Sequence, residues 1–178
     1  LFRALGMDDA EILKTFYEFD TIKFDRDKKS QKVSINLTTD PERLRGDASI
    51  CDIIDPAGEI IVKKGQRVSQ RHVRRMVKAK MQSFSIEPEM LIGKVLAEDV
   101  VDKNTGALIG SANSILDAEM IDELLQSDSI TEIKTLWINE LLSGAYISDT
   151  LRIDPSKTEE DAHFEIYRVM RPGEPPTQ

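Results

Sequence analysis

Apolar and polar positions along the chain change period several times, and each change marks an element. Residues 8–19 repeat at helical spacing, with Ile12, Leu13, Phe16 and Phe19 on one side, Asp8 as N-cap and Glu11 three positions on. From Asp20 the period becomes two. Ile22 and Phe24, then Val33, Ile35 and Leu37, alternate with polar neighbours around a charged Asp25–Ser30 tip, the pattern of a β-hairpin. Asp40-Pro41 and Arg45-Gly46-Asp47 end it, and a new unit begins near Ala48.

That unit recurs. Asp52–Ile61 reappears about 48 residues later as Asp99–Ile109: a β-rich run turns at a glycine and leads to an apolar residue and a cap, Val68-Ser69 or Leu116-Asp117. Each cap opens a helix. One places Val73, Met76 and Val77 together, the other Met120 or Ile121, Leu124 and Leu125. Short apolar stretches follow at Phe84–Ile86 and Ile133–Trp137. The expectation is an α+β fold with two copies of a hairpin, helix and strand module, spanning 48–92 and 93–144 after the hairpin and turn at 20–47.

Tyr146–Pro155 reads as an extended approach to a last helix. That helix starts at Thr158, with Asp161 completing a capping pattern, Ile166, Val169 and Met170 as its apolar face, and Arg171-Pro172-Gly173 as its end. If the first and last helices pack together, the middle is an insertion between parts of one parent domain, 1–19 and 145–178. The start at Leu1 and the stop at Gln178 read as a piece of a longer polypeptide.

Charge refines this picture. The net charge of −8 over 178 residues resolves into −1 for residues 1–49, +3 for 50–92, −7 for 93–143 and −3 for 144–178. Such asymmetry concerns partners and solubility rather than fold. No apolar run approaches the roughly 20 residues of a membrane-spanning helix, and no export signal opens the chain. The single Cys51 excludes an internal disulfide and fits a reducing cytoplasm.

Catalytic sets are sparse. His72 and His163 lie on separate helices, no Cys/His spacing suits zinc, and no glycine-rich phosphate loop occurs. The Asp102–Gly106 turn resembles the start of a calcium loop, but Asn113 stands where the bidentate acid belongs. Arg45-Gly46-Asp47 and the Asn36-Leu37-Thr38 sequon need an exported chain to matter. What remains is a basic helical face, Arg67, Arg71, Arg74, Arg75, Lys78 and Lys80, suited to phosphates or an acidic protein, without the aromatic residues that stack single strands.

Three runs identify a relative: Pro41–Asp47, Tyr146–Leu151 and Glu165-Ile166-Tyr167-Arg168-Val169-Met170-Arg171-Pro172-Gly173-Glu174-Pro175-Pro176-Thr177. They resemble the bacterial DNA-directed RNA polymerase β subunit, in its lobe region, and the likeness extends over essentially the whole chain. The resemblance implies that the flanking helices belong to the lobe and that residues 20–144 are a lineage-specific insertion. It implies DNA-templated RNA synthesis by the assembled nucleotidyltransferase, with β′, α, ω and sigma factor as partners and a cytoplasmic, nucleoid-associated location. No catalytic residue and no cofactor falls to this chain; the magnesium would be held by β′. The lobe would help enclose DNA, through Arg171 first and Arg168 second. The insertion would offer Arg67, Arg71, Arg74, Arg75 and Lys78 to regulators entering the secondary channel. Leu142–Ala145 departs from the family's Asp-His-Gly-Pro type of turn, and Ala162-His163-Phe164 replaces a more aliphatic step. The alternative is an independent protein-binding scaffold using its charged helices.

Overall fold

The computed structural model describes residues 1–26, 33–49, 51–139 and 143–173. Most of the Asp25–Ser30 tip, Leu142 and the Glu174–Thr177 end of the long run lie outside the described residues.

The chain is α+β. A one-turn 3-10 helix, Arg3–Leu5, precedes α1 (Asp9–Phe16), which opens on a reciprocal cap: the Glu11 N–H donates to Asp8 Oδ1 at 2.8 Å and the Asp8 N–H to Glu11 Oε2 at 3.1 Å. α1 buries Ile12 and Leu13, while Phe16 is partly exposed and meets Phe2 edge-on. Phe19 belongs to strand β1 instead of the helix, because the chain is already extended at Tyr17.

β1 (Phe19–Arg26) and β2 (Val33–Thr38) form the expected antiparallel hairpin, with Ile22 opposite Leu37 and Phe24 opposite Ile35. All four are buried, as period-two alternation requires when one sheet face meets a core. The hairpin becomes the centre of a four-stranded antiparallel sheet ordered β5-β2-β1-β8, with β5 at Ser83–Ile86 and β8 at Glu132–Leu136. Each outer strand closes a stretch of similar element order. After β2 come β3 (Ile53–Ile54), β4 (Ile60–Val62), α2 (Gln70–Lys78) and β5; after β5 come β6 (Val100–Val101), β7 (Leu108–Gly110), α3 (Ala118–Gln126) and β8.

The two stretches correspond down to individual hydrogen bonds, and the correspondence starts upstream of Ala48. Pro41-Glu42-Arg43-Leu44-Arg45-Gly46 and Pro88-Glu89-Met90-Leu91-Ile92-Gly93 each form a 3-10 turn running into a left-handed glycine. The Gly46 N–H donates to the Val68 carbonyl and the Gly93 N–H to the Leu116 carbonyl, both at 2.9 Å. The Lys64 N–H donates to Asp52 Oδ1 and the Ala112 N–H to Asp99 Oδ1, both at 2.7 Å. Ser69 caps α2 and Asp117 caps α3; Val73 and Met76 on one helix match Ile121 and Leu124 on the other, all buried.

Two expected faces differ. Val77 is 53% exposed, since α2 is held by Val73 and Met76 and Val77 falls beyond the contact. In α5 (Glu159–Met170) only Ala162 is buried, and Val169 and Met170 are 78% and 76% exposed. α5 lies against the Arg3–Leu5 turn, where His163 Nε2 is 2.9 Å from the Ala4 carbonyl oxygen, so its C-terminal half overhangs. The first helix α1 packs on α4 (Tyr146–Ile153).

α4 stands where an extended segment was expected. Its N-terminus has no side-chain cap of its own, and Tyr17 from 130 positions away supplies one. The Tyr17 hydroxyl accepts from the N–H groups of Ile147 (3.2 Å) and Ser148 (3.3 Å) and donates to the Gly144 carbonyl (3.0 Å). Orphan donors at a helix start need such partners, and this tertiary supply outweighs the weak helical propensity of Ile147, Thr150 and Ile153.

Among the described residues, three apolar clusters form the core. The largest joins the sheet face to α3 through Ile22, Phe24, Ile35, Ile133, Ile121 and Leu124. A second lies between the β3–β4 pair and α2, around Ile53, Val62, Val68, Val73 and Met76. The third takes Ile12, Leu13, Tyr17 and Leu151 together with Val95, Ala97 and Leu136 from the second stretch, so it spans both sides of positions 20 and 144.

Candidate interaction surfaces

Arg71, Arg74, Arg75 and Lys78 project from the solvent side of α2, and Arg67 precedes the helix in a bridge to Ala48. All five are exposed. Arg75 pairs with Glu59 at 2.7 Å; Arg71, Arg74 and Lys78 enter no ion pair among the described residues. His72 sits among them as part of the cap: its N–H donates to Ser69 Oγ at 3.4 Å, and its Nδ1 accepts from the Ser69 N–H at 3.3 Å.

On α3 the signs are opposite. Glu119, Asp122 and Glu123 are exposed and likewise enter no ion pair among the described residues. Arg168 and Arg171 lie on a different element, the exposed end of α5. Arg168 pairs with Glu165 at 2.8 Å, and the Arg171 guanidinium rests 5.8 Å from the centre of the Tyr167 ring. The structure therefore gathers the four helical cations of α2 and leaves the α5 arginines as a separate pair.

Acidic side chains serve turns and caps. Asp102 accepts from Ser129 Oγ at 2.5 Å and from the Asn104 N–H at 2.8 Å, and these donors, the Ser129 hydroxyl foremost, hold its carboxyl down at about 2. The Thr158 hydroxyl and backbone N–H lower Asp161 in the same way. Burial raises Asp47, against the opposing pull of Arg67 and Lys94, and burial followed by Glu87 and Asp52 raises the Cys51 thiol. Among the described residues no group of three His, Cys, Asp or Glu side chains could hold a metal ion, and no helix is long and apolar enough to cross a membrane.

The polar joints of the fold were missed by periodicity and capping patterns. Arg43 donates to the Phe19 carbonyl at 3.2 Å, pairs with Glu18 and with Asp20 at 3.4 Å, and lies 5.3 Å from the centre of the Trp137 ring. Arg26 donates to the Leu124 and Ile130 carbonyls, tying the end of β1 to the C-terminal turn of α3. The Pro-Glu-x-Leu-x-Gly recurrence would have pointed to Arg43, since Met90 replaces it in the second occurrence.

No protein-family model matches this chain.

Proposed function

We propose that the chain is the lobe region of a bacterial RNA polymerase β subunit, carrying an inserted module between its flanking helices. The observation that carries the reading is the Glu165–Thr177 run, thirteen residues of specific composition that resemble the β lobe. Two features of the fold support it. The segments before β1 and after β8 lie at neighbouring ends of antiparallel strands, as a module inserted at one point requires. Those segments also meet each other, α1 against α4 and α5 against Arg3–Leu5.

In this reading the assembled cytoplasmic enzyme performs DNA-templated RNA synthesis, with magnesium held by β′ and no residue of this chain in the reaction. Arg171 and Arg168 face DNA phosphates, a contact that weakens steeply with salt. The insertion presents the α2 cations to protein partners, secondary-channel regulators among them.

The test is capture from the source cells with an antibody against the folded chain. The expected catch is a polypeptide several times longer than this chain, in an assembly that synthesises RNA on a DNA template. Recovery of a protein of about this size without associated RNA synthesis would overturn the assignment.

A further inference from the structure

The correspondence between the two stretches places opposite charges at equivalent positions of α2 and α3. Aligning the caps Ser69 and Asp117, and the buried pairs Val73 with Ile121 and Met76 with Leu124, sets Arg71 against Glu119, Arg74 against Asp122, and Arg75 against Glu123. Just past the helices, Lys80 matches Asp128. The same alignment sets exposed Val77 against Leu125, an apolar position at the edge of each charged face; Leu125 is half-buried against the core.

Within one chain the two faces do not satisfy each other. α2 packs on β4 and on the Pro41–Leu44 turn, α3 packs on β7 and on the Pro88–Leu91 turn, and the charged sides point to solvent. A partner for the basic face must present acids at one-turn spacing. The chain itself carries that arrangement on α3.

We propose that the α2 face of one copy docks on the α3 face of a second copy. Arg71, Arg74 and Lys78 meet Glu119, Asp122 and Glu123. The contact is heterologous: each docked copy keeps one free basic and one free acidic face. Association therefore continues beyond two copies unless the geometry closes a ring. Exposed ion pairs are individually weak, so the contact is a weak, salt-sensitive one. The inference rests on the reading of α2 as a protein-docking face and names the protein that occupies it.

The test is a charge swap on the full chain. One variant carries Arg71→Glu, Arg74→Glu and Lys78→Glu, and a second carries Glu119→Lys, Asp122→Lys and Glu123→Lys; circular dichroism and thermal melts establish that both fold. Sedimentation at about 0.5 mM chain in low salt should show wild-type assemblies that dissociate as salt rises and screening shortens. Each variant alone should be monomeric, and an equimolar mixture should associate again. A monomeric wild type, association that survives either reversal, or folded variants that fail to combine when mixed would each overturn the proposal. Binding of labelled duplex DNA through the same arginines, with the wild type monomeric, would make nucleic acid the occupant instead. A monomeric wild type leaves the polymerase assignment standing, and antibody capture without RNA synthesis leaves the self-contact standing.

Discussion

Asn113 and Ser148 exchange two buried hydrogen bonds across 35 positions of chain: Asn113 Nδ2 donates to the Ser148 carbonyl at 2.8 Å, and Ser148 Oγ donates to Asn113 Oδ1 at 2.6 Å. Arg152 completes the joint by donating to the same hydroxyl at 3.0 Å. Asn113 is also one of two non-glycine residues with positive φ among those described, at +69°, and the corresponding position in the first stretch is Gly65 at +81°. Its backbone is set by the repeated hairpin, and its side chain is used to fasten that hairpin to α4.

Asn113→Ala should cost about 2–4 kcal/mol, because it removes the acceptor for the buried Ser148 hydroxyl hydrogen and a donor to the Ser148 carbonyl, and puts an alanine in the left-handed region without the local bonding an Asn offers. Asn113→Gly removes the first penalty's remedy but not the backbone fit, so it should fall between wild type and Asn113→Ala. Urea unfolding of the two variants separates the contributions; equal destabilisation by both would mean that the backbone conformation is without cost.

Arg43→Ala should lower stability by about 2–3 kcal/mol, since Asp20 is almost fully buried and loses its cation. Trp137 is the only tryptophan, so its emission reports the loss directly and should shift to the red. Arg43→Lys should restore less than half of the stability, because an ammonium lacks the planar fork that reaches the Phe19 carbonyl and two carboxylates at once.

Acid should weaken the turn after β6 as Asp102 is protonated. The folded-state carboxyl of Asp102 titrates at about 2, below its ordinary 3.8, so its contribution is fully present above 3.8 and is lost as pH falls from there towards 2. Melting temperatures measured between pH 5 and pH 2 should drop less steeply for Asp102→Asn than for wild type. Parallel pH profiles for the two proteins would remove Asp102 from the acid response.

Gly110 occupies the place that buried Val62 holds in the first stretch. A Cβ on Gly110 would stand 2.5 Å from Leu96 Cδ1 and 2.5 Å from Met120 Cε, so Gly110→Val should cost about 1–3 kcal/mol by overpacking. The corresponding first-stretch residues are Ser49 and His72. Leu96 is fully buried and cannot move aside, so the end of the Met120 side chain must give way; Gly110→Ala, which adds only the Cβ, should melt between wild type and Gly110→Val, and unchanged midpoints for both would mean that the neighbours shift without cost.

The elements whose cause is local were legible in the sequence. Asp8, Ser69, Asp117 and Thr158 cap their helices by accepting from the N–H three residues on, and the alternation around Ile22 and Ile35 needs only a sheet face and water to be sorted. The basic face of α2 followed from helical spacing alone. Other features depend on partners far along the chain. Tyr146–Ile153 is a helix because Tyr17 caps it, the exposed end of α5 follows from where the Arg3–Leu5 turn stops, and the opposition of charge between α2 and α3 has meaning only once their caps and cores are superposed. Periodicity records how each segment meets water, whereas a long-range hydrogen bond or an offset in packing leaves no period in either of the segments it joins.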